Sequence, residues 1–199
     1  MTVRVRRVRR SVASSAALTV LLAGAIACTS DGGPDSPDGD EQGSSATDRE
    51  SEPIHTTVQK VSGRMDKATR ADVKSGVNAV VDGWFEGAFL GDFPRGDYAA
   101  AFSGFTKGAR KDALANLPLL SNQEIDAKID TAVAGNRRVR LDVLAPQGQP
   151  HGVTAHFVLD FFTYGELEDH RRVHGSLYLT QQEGEWRILG YDVIGARKR

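Results

Sequence analysis

The stretch RVHGSLYLTQQEGEWRILGYDVIG, residues 172–195, decides the fold. In its first half Val173, Leu177 and Leu179 alternate with His174, Ser176, Tyr178 and Thr180. That is the period of two expected of a strand with one buried face. Glu183-Gly184-Glu185 is short and polar, as a tight hairpin connection requires. WRILGYDVIG (186–195) then reads as the returning strand. Upstream, VTAHFVLDFFTY (153–164) and RRVRLDVLA (137–145) show the same alternation, and IDAKIDTAVA (125–134) shows it loosely. APQGQPHG (145–152) is a turn or loop between strands.

The preceding part changes period. From Thr69 the apolar residues fall at Val73, Val77, Val80, Val81, Trp84, Phe85, Ala88 and Phe89, one stripe of a long helix. Thr69 with Asp72 reads as its capping pair, and Gly91 and Pro94 as its stop. Gly76, Gly83 and Gly87 lie close to one face, where close backbone packing is expected. Asp97 can cap a short turn, YAAAF, presenting Tyr98 and Phe102; a third helical piece covers about 106–116 and ends at Pro118. Helices followed by four or five long antiparallel strands predict an α+β layer fold: N-terminal helices, one of them long, on a curved antiparallel sheet of four to six strands.

The N-terminus has a different character. MTVRVRRVRR carries five arginines and no acid, and residues 11–27 are small or apolar and uncharged. This is a positive segment followed by an apolar one, the pattern of a signal peptide (1–27). Cys28, the only cysteine, follows Ala25-Ile26-Ala27. The arrangement resembles a bacterial lipobox, with Ala25 where Leu is usual. That resemblance implies lipidation of Cys28 and anchoring to the outer face of the cell membrane, where two or more acyl chains hold stably and one does not. Residues 29–53 carry eight acids and one arginine, a net charge of −7, and no aromatic or branched aliphatic side chain. With Cys28 they read as a lipidated, disordered acidic linker (28–53), because they offer too little apolar surface to offset ordering entropy. The remaining residues, 54–199, suit one domain. Their 19 basic and 18 acidic side chains argue against a nucleic-acid groove.

A long helix with an aromatic end (VVDGWFEGAF, 80–89), a short helical piece with FSGFT (102–106) and a strand run closing in EGEWRILGYDV (183–193) resemble the nuclear-transport-factor-2-like fold. This is the cystatin-like cone shared with SnoaL-like proteins and ketosteroid isomerases. Exported lipoproteins and Mce-associated proteins of that fold have similar endings. The resemblance covers about 60–199. It implies a sheet wrapped around the long helix with a pocket at the open end. Some members are enzymes using an Asp with a His or Tyr inside the cone; many bind a ligand or a partner instead.

Alternation collects His156, Asp160, His174, Ser176 and Tyr178 on the polar faces of two strands. A His/Asp/His group can bind a metal or hold a histidine as general base. The plainer and stronger reading is an outer, half-solvated sheet face with cross-strand polar pairs. No HExxH, CxxC, GxGxxG or GxSxG occurs, and neither a catalytic residue, a metal site nor a cofactor is assigned. Trp84, Phe85, Phe102, Phe157 and Trp186 are core in the first instance and the candidate contacts for a ligand held in the cone. The expected function is a non-enzymatic accessory or protein-interaction module, membrane-anchored through Cys28, with a protein partner or a homodimer. The alternatives are a binding protein for a small apolar ligand and an isomerase- or dehydratase-like enzyme.

Overall fold

The computed structural model describes residues 52–198. The expectations for the signal peptide, Cys28 and most of the acidic linker lie outside the described residues. Six strands form one sheet: β1 (Ile54–Gly63), β2 (Gly91–Asp92), β3 (Thr131–Ala145), β4 (Gly152–Tyr164), β5 (Asp169–Gln182) and β6 (Glu185–Lys198). The helices are α1 (Lys67–Ala88), α2 (Lys107–Leu114) and α3 (Leu117–Leu120), with 3-10 turns at Ala99–Phe102, Gln123–Lys128 and Pro146–Gly148. The class is α+β.

The strand order is β1-β3-β4-β5-β6, with the two-residue β2 on β3. β3 to β6 form an antiparallel meander. β1 runs parallel to β3, which corrects the all-antiparallel expectation. The β1-to-β3 link passes through α1, because a parallel pair needs a long crossover. β1 itself was not expected as a strand. It belongs to the sheet through the register Ile54↔Arg137 to Gly63↔Ala145, a long-range pairing that no local pattern announces.

Helix α1 buries Val73, Val77, Val81, Trp84, Phe85 and Ala88, the stripe expected from sequence. Its cap is Asp66 rather than Thr69: the Asp66 carboxylate accepts the Thr69 N–H at 2.7 Å, a bond that also holds the Asp66 pKa below its ordinary value. The C-terminal end is closed by Arg95. Its guanidinium donates to the carbonyls of Glu86 at 2.8 Å, Gly87 at 2.6 Å and Leu90, the orphan acceptors of a last helical turn. Arg137 on β3, 6 % exposed, reaches Asp82 at 2.6 Å and Glu86 at 2.7 Å and so ties the helix to the sheet.

The inward side chains of β3, β4 and β5 (Val139, Leu141, Ala155, Phe157, Leu159, Phe161, Val173, Leu177) meet α1 in one core. Two expectations fail in the connection before β3. Residues 125–130 are no strand: Asp126 turns back to accept the Arg95 N–H at 2.9 Å and the Tyr98 hydroxyl at 2.5 Å, which folds 123–128 into a 3-10 turn. Burial, with the bond to Asp126, pushes the Tyr98 phenol well above its usual pKa. Pro118 does not end a helix but stands in the first turn of α3, where its missing N–H costs nothing. Asp97 accepts the Ala99 N–H at 2.7 Å, as a cap of that turn should.

Close packing distinguishes the helix glycines. A Cβ at Gly87 would lie 2.6 Å from Ala101 Cα, whereas one at Gly83 would meet nothing within 4 Å. Gly87→Ala is therefore expected to cost about 1–3 kcal/mol by overpacking, and Gly83→Ala to gain roughly 0.5–1 kcal/mol. Urea unfolding of both variants checks this; a Gly87→Ala chain as stable as Gly83→Ala contradicts it.

Candidate functional site

The sheet has two unlike sides. One carries α1 and the aromatic core. The other, the open face, presents the side chains of β1, β3, β4, β5 and β6 that alternate with the buried ones. Register sets out its rows. His55, Arg138, Val158, His174 and Ile194 lie across the sheet in one row, and Thr57, Arg140, His156, Ser176 and Asp192 in the next. Beside these, Asn136, Asp160 and Arg172 form a third row, and Asp142, Thr154 and Tyr178 a fourth.

The structure thus places His156, Asp160, His174, Ser176 and Tyr178 on one face, but it does not join them as a group. Asp160 is 4 % exposed. Its carboxylate accepts from Arg172 Nε at 2.6 Å, Arg172 Nη2 at 2.9 Å and Asn136 Nδ2 at 3.2 Å. A carboxylate bound to a fork-shaped cation is a structural clasp, and the same bond raises the Arg172 pKa. The histidine partner is Asp142, which sequence had left aside. Asp142 Oδ2 stands 3.5 Å from His156 Nε2, and Ser176 Oγ lies 2.9 Å from His156 Nδ1. His156 thus stands between a carboxylate and a hydroxyl. This hydroxyl–imidazole–carboxylate chain lies across three hydrogen-bonded strands. The chain orients the ring. Among the described residues no three His, Cys, Asp or Glu side chains converge to hold a metal ion.

At the centre of the open face is a concavity of about 520 Å³. His55, Arg138, Arg140, His156, His174 and Ser176 line it. Its shape follows from a kink in β5. The register shifts between Arg172 and His174, and Gly175 adopts φ +155°. A Cβ there would lie 2.1 Å from Asp192 O, so the position accepts glycine alone.

The five aromatic candidates divide otherwise. Trp84, Phe85, Phe102 and Phe157 are at most 2 % exposed and belong to the core. Trp84 meets Phe85 at 5.4 Å and Phe157 at 5.2 Å between ring centroids. Phe157 also lies beneath the open-face concavity. Trp186 sits apart, packed on Gly76 of α1 and lining a second hollow beside Pro150 and Gln181. Compared with protein-family models, curated proteins and solved structures, the chain matches none.

Breaking the Asp160–Arg172 clasp tests its structural role. Arg172→Met is expected to cost about 2 kcal/mol, less than a fully buried pair because the arginine reaches water. The double variant Asp160→Leu/Arg172→Met should recover most of that loss. Urea unfolding reads both, and a single variant as stable as the parent contradicts the clasp.

Proposed function

We propose that this chain is an exported lipoprotein, held on the outer face of a bacterial membrane by lipid on Cys28. Its domain, of the nuclear-transport-factor-2-like kind, serves there as a non-enzymatic accessory or protein-interaction module. One observation carries the module reading. The volume between α1 and the sheet is occupied by the Trp84, Phe85, Phe89, Phe157 and Phe161 rings, while the diverse polar side chains stand on the uncovered face of the sheet. A packed interior behind a broad five-stranded surface, where polar side chains mix with exposed Leu144, Phe162, Tyr178 and Ile194, is the architecture of a presenting scaffold. The acids of the open face support the same reading. Asp160 is neutralised by Arg172 and Asp142 stands beside a half-exposed histidine, so neither occupies an apolar pocket of the kind that prepares a general base.

The anchor reading rests on the five N-terminal arginines, the uncharged segment and Cys28. An acidic linker of about 25 residues would give the domain a reach of roughly 25–30 Å and keep it off an anionic surface.

Two measurements test the two halves. Metabolic labelling with an alkynyl fatty acid should mark the wild-type chain and not Cys28→Ala, and the variant should leave the lipidated membrane pool; equal labelling of both contradicts the anchor. A photo-crosslinking amino acid placed at Thr180 on the open face should yield discrete protein adducts in intact cells, and one at Lys74 on α1 should not. Absence of adducts from Thr180 contradicts the interaction module.

A further inference from the structure

We propose that the open-face concavity binds a phosphate ester, a small organic molecule carrying a phosphoryl group. The inference goes beyond the module reading and does not depend on the anchor.

The lining is cationic and acid-free. Arg138 and Arg140 stand two residues apart on β3, on the same side of the sheet, and no Asp or Glu lines the concavity. Neither guanidinium takes part in an ion pair or hydrogen bond among the described residues, although other arginines of the sheet have such partners: Arg137 with Asp82, Arg171 with Asp169, Arg172 with Asp160. Two like charges held side by side on a sheet repel, and a bound anion removes that cost.

Further polar side chains surround the pair on both sides. Register sets His55 against Arg138 and Thr57 against Arg140 from β1. From the other side come His156 against Arg140 and Ser176 against His156. His174 lines the hollow from β5. Asp142 and Asp192 are not among the lining residues; Asp142 lies beside His156 and Asp192 opposite Ser176.

The number of donors selects the anion. A carboxylate has two oxygens, and two arginines alone can saturate it. Here β3 contributes two arginines, and β1 and β5 add the His55 and His174 imidazoles and the Thr57 hydroxyl, a set that suits the several oxygens of a phosphoryl group. Size adds the rest of the ligand. About 520 Å³ exceeds what an inorganic ion fills and falls in the range of small-molecule sites. Val158 gives the floor an apolar patch for an organic body.

Isothermal titration of the full-length chain in mild detergent tests this with phenyl phosphate, benzoate and the short-chain lipid dihexanoyl phosphatidic acid as probes. Phenyl phosphate should bind one-to-one, and benzoate at least about tenfold more weakly. Arg140→Gln should weaken phenyl phosphate about tenfold, and Arg138→Gln/Arg140→Gln further still. Lys74→Gln, which removes a charge from the far surface of α1, should leave binding unchanged. A preference of tenfold or more for the lipid identifies the phosphoryl group as a headgroup; equal or weaker lipid binding identifies a soluble ester. Either result supports the site. It is overturned if neither phosphate probe binds, if benzoate equals phenyl phosphate, or if the double arginine variant binds as the parent does.

Discussion

Everything else in the domain depends on the seating of Trp84. It stands in the last third of α1, 1 % exposed, with Phe85, Phe89, Phe105 and Phe157 around it at centroid distances of 5.2–6.4 Å. Such ring pairs add about 0.5–1.5 kcal/mol each to the gain from burial. Its indole N–H donates to Leu120 O at 3.2 Å, so a polar atom in the middle of the core is satisfied and α3 is fixed to α1 by the same bond. Asn122 continues that fixation, donating through its side chain to Phe89 O at 2.8 Å and through its backbone to Ala88 O at 3.0 Å. The helix end, the short helices and the middle of β4 are therefore one packing unit.

That unit leaves the sheet free to be two-sided. On the covered side the strands need only apolar residues of the right volume, with Arg137 as the exception that binds α1 electrostatically. On the open side packing imposes little, and arginines, histidines and hydroxyls stand there in register among acids and exposed apolar side chains such as Phe162 and Ile194. The charged residues accordingly divide into two kinds. Arg95, Arg137 and Arg172 are engaged with carbonyls or carboxylates and hold the fold. Arg138 and Arg140 engage no partner among the described residues, and Gly175 bends β5 into a hollow in front of them. A fold stabilised without these two cations is free to use them.

The sequence was most legible where one period governs a long segment. The α1 stripe, the alternation of β4 and β5 and the Glu183–Glu185 turn all follow from side chains sorting between core and water, and the structure has them in place. It was least legible where partners are distant. β1 carries Ile54, Thr56 and Val58 in alternation, but it follows a polar linker and pairs with a strand some eighty residues later. Asp126 belongs to a stretch that alternates like a strand, yet its bonds to Arg95 and Tyr98 outweigh that local preference. The site shows the same limit. The histidines and serine could be assigned to a polar face, but which carboxylate meets His156 depends on the β3–β4 register, which is set by the six residues 146–151 between the strands. One step of register separates Asp142 from neighbours that would have left the ring alone. Arg138 and Arg140 drew no attention because exposed arginines on a strand look like ordinary solvation until an acid-free hollow is seen around them.

The central claim is that the space between α1 and the sheet is a closed core rather than a ligand chamber. Hydrogen exchange of the Trp84 indole N–H, followed by NMR at increasing urea, measures this directly. A closed core requires that this proton exchange only through global unfolding, with a free energy and urea dependence equal to those of the whole domain. The Trp186 indole, at the edge of a hollow, should exchange sooner. Exchange of the Trp84 proton through a small opening insensitive to urea would contradict the account and show the interior to be accessible.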